Sequence, residues 1–163
     1  MATNTNIQFL APGEAGDTSN RRQVETYIAK NTNGSGVTVT INAGDWVEFD
    51  SGESGADRVL FIKQTATGAA LGAPAIGVAL DSISLPEPTV AGASVTAQVR
   101  VAVAGYVADA AVTTGVAADA PLSCDGATAG RAEAADAANA IICGVCLDTA
   151  AGNRAPVYVY KRV

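Results

Sequence analysis

The segment Ile76-Gly77-Val78-Ala79-Leu80-Asp81-Ser82 returns later in the chain as Cys143-Gly144-Val145-Cys146-Leu147-Asp148-Thr149. Gly, Val, Leu and Asp recur in order, and Ser gives way to Thr, its closest relative. A turn and a strand precede each copy: Ala43-Gly44-Asp45-Trp46-Val47-Glu48-Phe49-Asp50 before the first, and Ala118-Asp119-Ala120-Pro121-Leu122-Ser123-Cys124-Asp125 before the second. A Val-rich strand follows each, Val95 to Val103 and then Pro156 to Tyr160. The chain therefore reads as a small β unit used twice, which points to a scaffold rather than an active site.

The side chains available fit that reading. Of 163 residues 48% are hydrophobic, yet only 5% are aromatic and 16% charged, because Ala and Val supply the apolar share. Strand propensity comes from Val, Thr and Ile rather than from large rings. The 17 Gly and 6 Pro interrupt the chain often, as expected of many short strands. The expected fold is all-β: a compact sandwich or barrel-like domain built from a duplicated three-strand unit, with an extended N-terminal arm. Residues 1–36 read as arm and linker and 37–163 as the β domain, with the duplication at about 43–103 and 117–160.

Along the chain, residues 1 to 22 are polar apart from an apolar island at Ile7, Phe9 and Leu10. Gln23 to Lys30 fits two patterns, a helical face of Val24, Tyr27 and Ile28 or a strand face of Val24, Thr26 and Ile28. Val37, Val39 and Ile41 alternate with polar residues as in a half-buried strand. Strands are also expected at Trp46 to Asp50, Val59 to Gln64, Ile76 to Leu80 and Val95 to Val103, with a further one at Tyr106 to Val112. Pro86 and Pro88 mark a long loop, and the Ala-rich stretch Ala127 to Ala140 reads as loop plus a short strand.

The net charge of −6, with no basic cluster larger than a pair such as Arg21-Arg22, argues against nucleic acid as a partner, since such binding neutralises phosphates. No apolar run reaches the ~20 residues of a membrane helix, and the start shows no signal peptide. Three cysteines make no disulfide framework and suit synthesis in a reducing cytoplasm.

Chemical motifs are few. Cys143-Gly144-Val145-Cys146 is a C-x-x-C, but it lies in a strand pattern, where residues three apart point to opposite faces. The first copy carries Ile76 and Ala79 at those positions, so packing is the stronger reading over a thiol oxidoreductase. A zinc site lacks a fourth ligand, as there is no histidine. Asp45, Glu48, Asp50, Glu53 and Asp57 lack the spacing of a calcium loop and read as a solvated strand edge and loop. The absence of histidine also removes the commonest general base, and no phosphate-binding or dinucleotide motif is present. No enzyme, cofactor or metal is expected.

The residues that suggest interaction are the arm residues Ile7, Phe9 and Leu10, the pair Arg21 and Arg22, and the tyrosines Tyr158 and Tyr160. If Val157 and Val159 face the core, those tyrosines face outward, where interfaces favour them. A β-rich ligand- or carbohydrate-binding module is the alternative; it would draw on Trp46 and the few tyrosines.

The order Ala43-Gly44-Asp45-x-Val47, Ile76 to Asp81, a Val-rich strand with Gly105-Tyr106-Val107, Ala118 to Leu122, and a second Gly-Val-x-Leu-Asp resembles tailed-phage capsid cement, or decoration, proteins. The resemblance covers about residues 37 to 163, with Ala118-Asp119 standing where the first copy has Gly-Asp. It implies a non-enzymatic structural protein, often trimeric, on the outer surface of a bacteriophage head. There it would bind the major capsid protein and stabilise the head by bridging capsid subunits. Synthesis in the host cytoplasm and residence on the virion follow from the same resemblance.

Overall fold

Short β-branched runs between glycine turns gain little from isolated hairpins, and their backbone groups are satisfied best when the sheet closes on itself. The chain takes that solution twice. The structure, a computed structural model, describes residues 22–32, 34, 36–66, 75–135 and 141–161. Its strands are β1 (Gln23–Thr32), β2 (Val39–Ile41), β3 (Trp46–Phe49), β4 (Phe61–Gln64), β5 (Gly77–Ala79), β6 (Ile83–Leu85), β7 (Ser94–Ala111), β8 (Pro121–Cys124), β9 (Ala132–Ala134), β10 (Gly144–Cys146) and β11 (Arg154–Val159). A 3-10 turn covers Gly55–Val59, and no α-helix occurs among the described residues.

Hydrogen bonding runs in the order β1-β4-β3-β5-β7-β11-β10-β8-β9, with β1 also pairing β7. The extra pairing closes β1, β4, β3, β5 and β7 into a first barrel. On the other side, Val112 bridges Ala132 in parallel, and the Thr113 N–H donates to the Ala132 carbonyl at 2.8 Å. That contact closes the end of β7 with β11, β10, β8 and β9 into a second barrel. The long strand β7 belongs to both: residues 94 to 104 pair with β1, and Gly105 to Ala111 pair with β11. Gly105, at φ 96°, sits at the handover, which only a residue without Cβ adopts readily. The expected strands at Val95 to Val103 and Tyr106 to Val112 are therefore one strand. The ribbon of β2 and β6 stands apart from the main sheet and adds Ile41 and Leu85 to the first barrel's core.

Hydrogen bonds show how closely the two barrels correspond. Val47 opposes Gly77 as Leu122 opposes Gly144, and Ala79 opposes Val101 as Cys146 opposes Val157. One tier further out, Phe49 opposes Ile62 as Cys124 opposes Ala132. The Gly44 N–H donates to the Ala79 carbonyl at 2.7 Å, and the Asp119 N–H donates to the Cys146 carbonyl at 2.8 Å. Gly44 and Asp119 both have positive φ, 93° and 63°, and Asp is among the few non-glycine residues that tolerate it. Asp119, not Ala118, therefore holds the place of Gly44. The parallel contacts of β1 with β4 and of Val112 with Ala132 extend the repeat to five strands, beyond the three expected from sequence.

Two further expectations change. Gln23–Thr32, placed in the arm and linker, is a full strand of the first barrel. Its inward positions are Tyr27, Ala29 and Asn31; the strand pattern chose the opposite face, and the helical pattern included Tyr27 alone of the three. Asn31 is tolerated there because its amide donates to the carbonyls of Val37 and Leu85, both at 2.9 Å. The loop after β5 contains β6, which at three residues is too short to show a period.

Each barrel has its own core. Val47, Ile62, Val99 and Val101 anchor the first, and Leu122, Cys146, Val157 and Val159 anchor the second. Gly77 and Gly144 mark corresponding tight points. A Cβ on Gly77 would collide with the Ala102 carbonyl oxygen, and one on Gly144 would lie 2.6 Å from that of Tyr158. Alanine at either glycine is expected to cost about 1–3 kcal/mol in urea unfolding, the range for overpacking a core. Gly126→Ala, in open space, should be near neutral. Equal midpoints for all three variants would contradict the close approach.

Candidate functional site

The site is best built from the seam where the barrels meet. Trp46 lies on β3 next to Val47, which points into the first barrel. Alternation turns the indole the other way, into the core of the second. Trp46 is fully buried, its ring reaches Gly144, and its Nε1–H donates to the Ala111 carbonyl at 3.0 Å. Backbone bonds flank it: the Trp46 N–H donates to the Gly130 carbonyl at 2.8 Å, and the Ala111 N–H to the Gly44 carbonyl at 2.8 Å. Arg154 on β11 closes the seam, its Nη1 donating to the carbonyls of Ala43 at 2.9 Å and Asp109 at 3.3 Å.

The acidic stretch is less solvated than expected. Asp45 is buried because its Oδ2 accepts from the Asn42 N–H at 2.7 Å and from the Gln64 amide at 2.5 Å. Glu48 is buried too, with Lys63 Nζ 3.7 Å from its Oε1 and no hydrogen bond to Oε2 among the described residues. Burial pushes the Glu48 carboxyl above its ordinary value, and Lys63 and the Ala66 N–H only partly offset it. Asp50, Glu53 and Asp57 stay at least partly open to solvent.

The two cysteines of the C-x-x-C are buried in the same core, contrary to the opposite faces expected of a regular strand. The strand begins at Gly144, so Cys143 lies before the alternation starts. Their thiols have separate partners: Cys143 Sγ donates to the Leu122 carbonyl at 3.3 Å, and Cys146 Sγ to the Asp148 carbonyl at 2.9 Å. A hydrogen bond with Cys124, then burial, raises the Cys143 thiol, and burial raises Cys146. Such thiols are poor nucleophiles. Among the described residues no three acidic, cysteine or histidine side chains converge as a metal site would require.

Of the residues singled out for interaction, Ile7, Phe9, Leu10 and Arg21 lie outside the described residues. Arg22 is half-buried and lines a cleft of about 210 Å³ with Gly44, Leu80, Val107 and Asp109. Tyr158 and Tyr160 do face outward while Val157 and Val159 are buried, and their rings lie 6.2 Å apart. Lys161 Nζ donates to Gln23 Oε1 at 3.0 Å, which brings the end of β11 beside the start of β1. Sequence reasoning missed the setting of Tyr158. Across β8, β10, β11 and β7 it stands in one row with Pro121, Val145 and Tyr106. Ile142 and Leu147 are also exposed apolar residues flanking β10. Aligning the repeats would have exposed that row, because its counterparts in the first copy are Trp46, Val78 and Ala102.

Two outcomes follow from this chemistry. A carboxyl whose folded pKa is raised binds its proton more tightly in the folded state than in the unfolded one. Its contribution therefore falls as pH rises from the ordinary carboxylate value through the raised one. Glu48→Gln is expected to be more stable than the parent at pH 7 and to lose that falling limb in urea titrations between pH 4 and 7. Parallel pH profiles would refute the buried charge. With a thiol-titrating disulfide reagent, Cys143 and Cys146 are expected to stay silent in the native protein and react after unfolding. Rapid native reaction of either would show an accessible thiol.

No family model and no curated protein matches the chain. Among solved structures, it is similar to the N base of head fiber gp8.5 in bacteriophage phi29, with a TM-score of 0.53 and 13% identity over 85% of this chain and 95% of that one. At that identity the likeness is one of fold, and it spans both barrels.

Proposed function

We propose that this chain is a non-enzymatic structural protein of a tailed-phage virion. In this reading it binds the outer surface of the head, touches the major capsid protein and bridges neighbouring capsid subunits, as a homotrimer. The observation that carries the reading is the fold, which is shared over most of its length with the base of a phage head fiber. The resemblance of its repeat order to head decoration proteins adds an independent line.

The physical layout supports a mechanical role. Two closed barrels joined by a continuous strand leave few free edges and transmit load through hydrogen bonds along β7. The net charge of −6 keeps the chain off packaged DNA and leaves capsid protein as the better partner. The carbohydrate-binding alternative loses its main residue, since Trp46 is buried in the seam and presents no ring to a sugar. The thiol oxidoreductase alternative loses accessible, activated sulfur.

The test is to mix the purified full chain with undecorated tailed-phage heads and sediment them. Saturable co-sedimentation supports the reading, and absence of binding to every head tested overturns it. Removing residues 1–22 leaves β1 and all later strands in place, so the shortened chain is expected to fold yet bind heads more weakly. Unchanged binding would remove Ile7, Phe9, Leu10, Arg21 and Arg22 from the contact.

A further inference from the structure

All three cysteines belong to the second barrel, and the C-x-x-C spacing does not name the two that are neighbours. Cys146 Sγ is turned away onto the Asp148 carbonyl at 2.9 Å. The partner of Cys143 is Cys124 on β8, and the two thiols share a hydrogen bond. The register explains why. Gly144 lies opposite Leu122, while the Cys143 N–H also donates to the Leu122 carbonyl at 2.8 Å. Two residues of one segment thus face one of the other, as in a β-bulge, and Cys143 turns into the core. Cys124 stands two residues beyond Leu122 on β8, on the same side of the sheet, and packs against the same core. The first barrel builds this corner too. There the Ile76 N–H donates to the Val47 carbonyl at 2.8 Å, and Phe49 stands two residues beyond. Its corner holds two bulky hydrocarbon side chains, whereas the second holds two thiols.

We propose that Cys124 and Cys143 form a latent cross-strand staple, which a peroxide closes to a disulfide within the folded chain. Cys124 is half-buried and is the sulfur the oxidant reaches, while Cys143 is buried behind it. Hydrogen peroxide transfers one oxygen to the Cys124 sulfur, giving a sulfenic acid and one water. The Cys143 sulfur then attacks the Cys124 sulfur and the S–O bond breaks. The departing hydroxyl takes the Cys143 proton and leaves as a second water. Two thiols and one peroxide thus give one disulfide and two waters. The raised Cys143 thiol makes a slow nucleophile, and its fixed contact with a single partner offsets that. Adjacent strands lie about 5 Å apart, within the span of a disulfide. The bond braces a short pairing, since β8 and β10 are in register only at Leu122 with Gly144 and Pro121 with Val145. The first barrel is closed instead by the ten-residue β1. The inference does not rest on head binding.

The experiment treats the folded full chain with dilute hydrogen peroxide, without denaturant, while Trp46 fluorescence reports an intact seam. Intact mass, non-reducing peptide maps and Tm are read before and after. The parent is expected to lose two hydrogens, to yield a peptide linked through Cys124 and Cys143, and to melt about 6–12 °C higher until a reductant is added. Cys146→Ser is expected to behave as the parent, and Cys124→Ser and Cys143→Ser to show neither the link nor the shift. If Cys143→Ser proves unfolded, Cys124→Ser alone serves as the control, because Cys124 lies at the edge of the core. A parent that keeps both hydrogens, a link that includes Cys146, or a link between chains overturns the inference. A Cys124–Cys143 link that leaves Tm unchanged shows no brace and overturns it as well.

Discussion

The burial of Trp46 between the two barrels is the contact on which the rest of the architecture depends. Its indole leaves the first barrel and completes the core of the second, with its N–H on the Ala111 carbonyl. Fully burying a ring of that size contributes on the order of 4 kcal/mol. The arrangement also fixes orientation. Because Val47 points inward and Trp46 outward, a one-residue slip of β3 would empty both cores at once. The seam is locked further by backbone bonds to Gly130 and Gly44 and by the Arg154 guanidinium. The barrels are thus mutual parts of one packing problem, with β7 as their common wall.

Duplication then explains both what the copies share and where they differ. Inward positions keep apolar character across the repeat: Val47 and Leu122, Ile62 and Ala132, Ala79 and Cys146, Val101 and Val157. Tight glycines are kept because a neighbouring carbonyl occupies the space a side chain would need. Outward positions have diverged, since nothing in the closure of a barrel constrains them. Trp46 became a plug for its neighbour, while its counterpart Pro121 faces solvent. Glu48 and Ser123, corresponding in register, each keep a buried oxygen without a hydrogen bond among the described residues.

Closed barrels and a mechanical role suit each other. Strand edges that would otherwise template pairing are consumed internally, which leaves faces rather than edges for contact. The faces differ in kind: one is committed inside the molecule, and the other carries tyrosine, valine and proline to the exterior. In the proposed role, a protein built this way would act through surface area and stiffness. Its thiols fit that picture, since the C-x-x-C sulfurs serve as small apolar filler where the first copy has Ile76 and Ala79.

The sequence by itself determined the all-β class, the repeat, the Val-rich strand from Val95 to Val103, and the outward tyrosines. Each of these rests on local alternation or on direct similarity between segments, which a linear string carries. What it did not reveal are partners. Asp45 and Glu48 look like surface carboxylates until Gln64 and Lys63 are brought against them. Ala29 and Asn31 have no apolar period to mark them, and Asn31 faces inward only because two carbonyls await its amide. The break at Gly105 looks like the end of a strand, yet there β7 passes from β1 to β11. Which face of a repeated unit is covered was decided by tertiary structure alone, because burial belongs to the contact between segments and not to either segment.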